Sequence, residues 1–222
     1  MKDIVKPFEE TCKNKDAYDL VADVGDVTMD TIIDSGVLDG VPVIGVIKGL
    51  YMVTKNYQTY RLMKKIHRFI FLTHDTTIKE RMKFLSEYTE KNKENGCEVL
   101  LSLLDRLDNT NKVNILTNLM KAKIKEEISI ENFIRLCAVL ERIPFPDINE
   151  LSKYKDDYYE KGSTDILLTS GVLSNTIIDA NDTNKYRINS LGVMLLKHGL
   201  QQDVDVEIKD STHLSDLVWQ KI

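Results

Sequence analysis

Apolar side chains recur at three- and four-residue intervals along most of this chain, and only 10 glycines and 4 prolines interrupt them in 222 residues. That spacing stacks side chains along one face of a helix, so a mainly α-helical fold is expected. With 42% hydrophobic residues, a chain of this length can bury one good core, or a main body plus a small appended unit.

Leu20, Val24, Val27 and Ile32 predict a first amphipathic helix that ends near Ser35-Gly36. Pro42, tolerated in a first turn, opens a long second helix running towards His74. Thr76 or Thr77 caps a third through Tyr88, broken by KNKENG, and Val99 to Leu104 form a fourth too apolar to face water. Asn109 or Thr110 starts a fifth, carrying Val113, Leu116, Met120 and Ile124. Ser129 caps a sixth, with Phe133, Leu136, Cys137 and Leu140, which must stop before Pro144 and Pro146.

Pro144-Phe145-Pro146 therefore marks a boundary. Residues 1–143 are expected to form a helical body with an amphipathic basic helix near 42–73, and residues 147–200 a separate unit ahead of a tail, 201–222. Within that unit a helix-like stretch from Asp147 to Glu160 precedes a short one from Thr164 to Ser170. Two strand-like runs, Val172 to Asp179 and Lys185 to Ile188, are joined by the polar ANDTN, and a helix packing Leu191, Leu195 and Leu196 starts at Asn189 or Ser190. Helix, helix, hairpin, helix is the order of a winged-helix unit. LTSGVLSNTIIDANDTNKYRINSLGVMLLKHG resembles the widespread bacterial pattern in which G-L-L, a wing and Y-x-L-T-x-L-G succeed one another. The fold expected is thus mainly α, with a winged-helix-like α+β unit at its C-terminal end. In the tail, VDVEIKD alternates as an edge strand would, and LSDLVWQKI offers Leu217 and Trp219 as a final anchor.

The order of features is similar to that of a set of uncharacterised bacterial proteins. It comprises a glycine-rich apolar segment, a basic helix, a leucine-rich body, an I-S-x-E-x-F helix entry (Ile128, Ser129, Glu131, Phe133) and this terminal unit. The resemblance implies an accessory, phage-defence or stress-response setting, and it transfers no catalytic residue.

Charge is unevenly placed. Between Gly40 and His74 there is no Asp or Glu, while Lys48, Lys55, Arg61, Lys64, Lys65 and Arg68 supply six positive charges in a chain of formal net charge -5. The rest of the chain then holds 24 basic against 35 acidic residues. Arg61, Lys64, Lys65 and Arg68 fall on one helical face, and Leu62, Ile66, Phe69 and Ile70 on another. Three destinations stay open for this stripe: acidic groups of the same fold such as Asp156, Asp157 and Glu160; a protein or oligomer interface; or an anionic partner, lipid or nucleic acid.

Ahead of the stripe, Gly36 and Gly40, and again Gly45 and Gly49, stand four residues apart and would leave shallow strips for close helix packing. The uncharged apolar run is too short to span a bilayer and Lys48 interrupts it, so a buried face is expected at a self-association site or a membrane surface.

Chemistry-bearing patterns are weak. His74-Asp75 lacks the further ligands a metal centre needs, and Asp179-x-Asn181-x-Thr183 has Asn184 and Ser190 where a calcium loop requires Gly and Glu. There is no Walker A loop, dinucleotide fingerprint or G-x-S-x-G elbow, so no cofactor or metal is expected, nor an enzyme. Cys12, Cys97 and Cys137, odd in number and without C-x-x-C, suit a reducing cytosol, and MKDIVKPFEE has no apolar signal core. The expected residence is cytoplasmic, with peripheral membrane contact as an alternative. In the winged-helix-like unit, STDILLTSG offers Asp165 and no cation, with only Lys185 and Arg187 at the wing's far edge, which disfavours sequence-specific DNA. A protein partner or homo-oligomer is the leading expectation, with a DNA-binding regulator as the alternative.

Overall fold

A computed structural model describes residues 2–25, 28–155, 158–159, 162–175 and 185–204. Its body is built from nine helices in this range: α1 (Lys2–Cys12), α2 (Lys15–Val24), α3 (Met29–Ser35), α4 (Pro42–Thr54), α5 (Tyr57–Leu72), α6 (Ile78–Asn92), α7 (Gly96–Arg106), α8 (Asn111–Ile124) and α9 (Ile130–Arg142). Helix α8 runs through the middle, touching α5, α6 and α9. Val113, Leu116 and Leu119 on it are fully buried, as are Leu101 and Leu104 of α7 and Phe133 of α9.

Local chemistry explains most boundaries. The side chain of Thr77 accepts from the Glu80 amide while the Glu80 carboxylate accepts from the Thr77 amide at 2.7 Å, a reciprocal cap that starts α6. Asn95 and Ser129 cap α7 and α9 by accepting from first-turn amides, without the reciprocal bond. Helix α4 solves the problem differently. Its N-cap is Val41, which has no capping oxygen, and Pro42 has no amide hydrogen, so the first orphan donor is Val43. The Val43 amide donates to Thr11 Oγ1 at 3.1 Å, which pins α4 to α1.

Three sequence expectations need correction here. The helix expected through Leu20 and Ile32 is two helices, because Gly25 takes a positive φ of 71° to end α2 and Thr28 caps α3. The long helix expected from Pro42 to His74 is also two, α4 and α5. Lys55 adopts the left-handed region at φ 48°, and Asn56 then caps α5 by accepting from the Gln58 amide at 2.7 Å. Helix α1, with Pro7 inside it, was not expected at all.

After Pro144 come α10 (Phe145–Glu150), a 3-10 turn (Leu151–Tyr154), β1 (Tyr158–Tyr159), α11 (Thr164–Thr169), β2 (Leu173–Asn175), β3 (Lys185–Ile188) and α12 (Ser190–Met194), which continues as a π-helical turn (Leu195–Gly199). The helix-like reading of 147–160 thus shortens to α10 and its turn among the described residues. The strands form an antiparallel sheet in the order β1-β3-β2, with Tyr158 opposite Tyr186 and Leu173 opposite Ile188. Asn189 ties the hairpin to the next helix. Its side-chain oxygen accepts from the Leu191 and Gly192 amides, and its Nδ2 donates to the Gly171 and Leu173 carbonyls. The π-helical turn packs on α8. A Cβ on Gly199 would lie 2.8 Å from Ile115 Cγ2, so only glycine permits that approach. The polar turn ANDTN, the calcium-like Asp179, Asn181, Thr183 and Asn184, and the tail anchors Leu217 and Trp219 lie outside the described residues.

Candidate functional site

Helix α4 is apolar nearly all round, with Lys48 its one charged residue. A helix of that kind has two faces to bury. One of them, with Val43, Ile44 and Ile47, is buried against α1 and α5. The face adjoining it is open. Among the described residues the large hydrophobic side chains left exposed are Val37, Val46, Leu50, Met52, Val53 and Tyr57, with Ile78 the one example elsewhere. Val53 is 86% exposed and Tyr57 71%, values far beyond those of scattered surface aliphatics. At 100° per residue, Val46, Gly49, Leu50 and Val53 share this outer face.

The four glycines of the expected strips have separate uses. Gly36 ends α3 at φ 67°, and Gly40 makes only ordinary contact with Leu20. Gly45 is pressed against its own chain, where an added Cβ would meet the Asp39 carbonyl at 2.9 Å. Gly49 has nothing within 4 Å of where a Cβ would stand and lies in the middle of the open apolar face.

The six cations are likewise divided. Lys48 pairs with Asp39 at 2.7 Å. Lys55 sits exposed at the α4–α5 turn, its ammonium 5.2 Å from the Tyr51 ring centre. Lys65 is buried and donates to the carbonyls of Leu104 and Asp105 at 2.8 and 2.6 Å, and Arg61 donates to the Asp108 carbonyl. Two members of the stripe are therefore spent on backbone oxygens at the end of α7, where the helix dipole is negative. The acidic residues first considered as their partners, Asp156, Asp157 and Glu160, lie outside the described residues. Lys64 is exposed and Arg68 half-buried.

These last two line a cleft of about 540 Å³ between α3, α5 and α8, together with Asp30, Tyr60, His67 and the α8 entry residues Thr110 and Asn111. Arg68 Nε donates to Asn114 Oδ1 at 3.0 Å, and the Tyr60 hydroxyl donates to Asp30 at 3.3 Å. A second cleft, about 640 Å³, follows the seam where the π-helical turn meets α8. Among its lining residues Lys121 pairs with Asp75 at 2.8 Å, and His198 Nδ1 lies 3.2 Å from a Glu127 carboxylate oxygen.

His74-Asp75 lies in the turn after α5, its carboxylate held by Lys121. Among the described residues no three His, Cys, Asp or Glu side chains converge as metal ligands, and no helix is long and apolar enough to cross a membrane. All three thiols are buried, and burial pushes Cys12 up to about 12 and Cys97 up to about 11. Neither is poised as a nucleophile at neutral pH. Comparison of the chain with family models, curated proteins and solved structures returns no match.

Sequence reasoning found the basic stripe, the glycines and Tyr57 beside them but did not single out the exposed residues Val46, Leu50 and Val53. The signal was present: thirteen residues with a single charge cannot hide both faces behind one pair of neighbouring helices.

Proposed function

We propose that this chain is an interaction module that self-associates by stacking the outer face of α4 against the same face of a second copy. The carrying observation is the concentration of exposed aliphatic and aromatic side chains on residues 37–57 around Gly49. A two-fold interface is the same patch used twice, so it must complement itself. This face does so in the antiparallel sense. Its N-terminal end carries exposed Asp34, besides Asp39 that is already paired with Lys48, and its C-terminal end carries exposed Lys55. Antiparallel stacking sets the acidic end of one copy beside the basic end of the other, whereas parallel stacking would set like charges together. Gly49, without a Cβ, lets the two helices approach closely at the axis. The acidic end and the formal net charge of -5 argue against an anionic bilayer as the occupant.

Cysteine cross-linking tests the geometry. Antiparallel stacking centred on Gly49 brings Val46 of one copy near Val53 of the other. A mixture of Val46→Cys and Val53→Cys proteins should form a mixed disulfide under mild oxidation, faster than either alone, and the buried native thiols should stay silent. Linkage of Val53→Cys to itself as the main product would contradict the antiparallel arrangement. A persistent monomer that co-sediments with anionic vesicles would assign the face to a membrane instead.

For residues 147–200 we read a winged-helix-like unit that docks protein rather than DNA. The sheet order β1-β3-β2, with α11 ahead of β2 and α12 after β3, supports the first half of that reading. The second half is supported by Arg187, which donates to the Lys155 carbonyl at 3.5 Å, and by Lys155, which donates to the Asp203 carbonyl at 3.0 Å. Both cations are thus engaged by backbone carbonyls, one in the unit and one in the segment that follows it. An anisotropy titration should show no affinity beyond the non-specific range of about 10⁻⁴ to 10⁻⁶ M at physiological salt. Nanomolar, sequence-selective binding would favour a regulator.

A further inference from the structure

We propose that the cleft along the seam between α8 and the π-helical turn binds a small oligophosphate, an anion of two or more linked phosphoryl groups, through Lys125 on one wall and Lys197 on the other. The cleft volume, about 640 Å³, falls inside the usual range of roughly 300–1,000 Å³ for small-molecule sites. Packing, not a ligand, sets its walls. Leu195 and Leu196 of the turn are fully buried, and the close approach of Gly199 to Ile115 seats the turn on α8.

Both helical segments end at this cleft, where unsatisfied carbonyls would repel an anion. Those carbonyls are occupied. The amides of Lys125 and Glu127 donate to the Lys121 and Ala122 carbonyls at 3.0 and 2.9 Å. Asn118 Nδ2 donates to the Gly199 carbonyl at 2.9 Å, and Gln201 Nε2 to the His198 carbonyl at 2.8 Å. Each of these two carboxamides lines the cleft and keeps a second N–H.

The lysines around the end of α8 divide into paired and unpaired. Lys121 is held by Asp75 and Lys123 by Glu87, each at 2.8 Å. Glu127, the other carboxylate of the lining, faces His198 Nδ1. Lys125 and Lys197 are exposed and make no ion pair or side-chain hydrogen bond among the described residues. The cleft therefore presents two unpaired ammonium groups, one from each side of the seam, with two carboxamide donors beside them. Cations on opposite walls suit a ligand that carries negative charge at two places. An ammonium is a compact point charge that suits phosphoryl oxygens, and no arginine among the lining residues offers the planar fork that selects a carboxylate.

Calorimetric titration of the full-length protein at low salt, with pyrophosphate, inorganic phosphate and succinate as probes, tests the assignment. Pyrophosphate should bind saturably at one per chain, inorganic phosphate more weakly and succinate more weakly still. Lys125→Gln and Lys197→Gln, both on exposed side chains, should leave the melting curve of the unliganded protein unchanged and weaken pyrophosphate about tenfold each, the scale of one hydrogen bond to a charged group. Lys64→Gln, on an exposed side chain that lines the other cleft, should leave that affinity unchanged. Vesicles of phosphatidylcholine with phosphatidic acid present the same phosphoryl chemistry on a surface, and their failure to bind supports a soluble ligand. Absence of saturable binding, an unchanged affinity in either seam variant, an equal loss in Lys64→Gln, succinate binding as tightly as pyrophosphate, or binding to vesicles at least as tight as to pyrophosphate would overturn the proposal.

Discussion

The ammonium of Lys65 donates to the carbonyl of Leu104 at 2.8 Å across the packing of α5 on α7, so the chain's densest run of positive charge is partly a helix-capping device. Asp105 supplies a second carbonyl, and burial lowers the Lys65 pKa while the Asp105 carboxylate partly offsets that. The adjacent Lys64 points to solvent. Lys65→Met should therefore cost about 1–3 kcal/mol by leaving two α7 carbonyls without their donor, whereas Lys64→Gln should stay within about 0.5 kcal/mol. Urea denaturation of the two variants side by side measures the contrast.

Arg81 is the largest fully buried side chain among the described residues and a second such device. Its Nε donates to the Cys12 carbonyl at 3.0 Å, its Nη1 to the Thr76 carbonyl, and its guanidinium lies 3.7 Å from the Tyr18 ring centre. Arg81→Met should cost about 3 kcal/mol, read as a fall in melting temperature of roughly 6–12 °C. Arg81→Lys should recover little of it, since an ammonium cannot reach both carbonyls and stack on the ring.

Two glycines four residues apart in α4 should respond oppositely to the same change. Gly49→Ala adds a methyl in open space and raises helix propensity, stabilising the folded chain by up to about 1 kcal/mol. Gly45→Ala forces a Cβ against the Asp39 carbonyl and should destabilise it by about 1–3 kcal/mol. Thermal melts at a dilution where the protein is monomeric separate these effects from association.

Acid should weaken the seam between α6 and α9. Hydrogen bonding from Lys91, and then from the start of α9, holds the Glu131 carboxyl down at about 2. A carboxyl lowered on folding stabilises the native state above its unfolded pKa, and that contribution fades as pH falls from about 4.5 towards 2. Glu131→Gln should flatten this part of the stability profile without altering it near neutrality by more than the lost ion pair. Denaturant midpoints between pH 2 and 7 follow the difference.

Much of the body was legible because its signals are local. Thr77, Asn109 and Ser129 announce helix starts by their side-chain chemistry, and Pro144 announces a stop. The break at Lys55-Asn56 was hidden, because neither residue is a Gly or Pro and the apolar period runs on through it. The entry of α4 was legible in Pro42, but its cap was not, since that is the hydroxyl of Thr11, thirty-two positions from Val43. The basic stripe could be read from spacing, but its division into carbonyl-bound Lys65 and cleft-lining Lys64 depends on where α7 ends against α5. The two-residue strand β1 is too short to carry any period.

Self-association through α4 is the central claim, and sedimentation equilibrium of wild type beside Val53→Glu across the micromolar range tests it most directly. Val53 is almost wholly exposed, so Glu there should leave the fold and its melting curve intact. The account predicts a reversible dimer for the wild type and a monomer for Val53→Glu. A wild type that stays monomeric throughout, or a Val53→Glu variant that dimerises as tightly as the wild type, would contradict it.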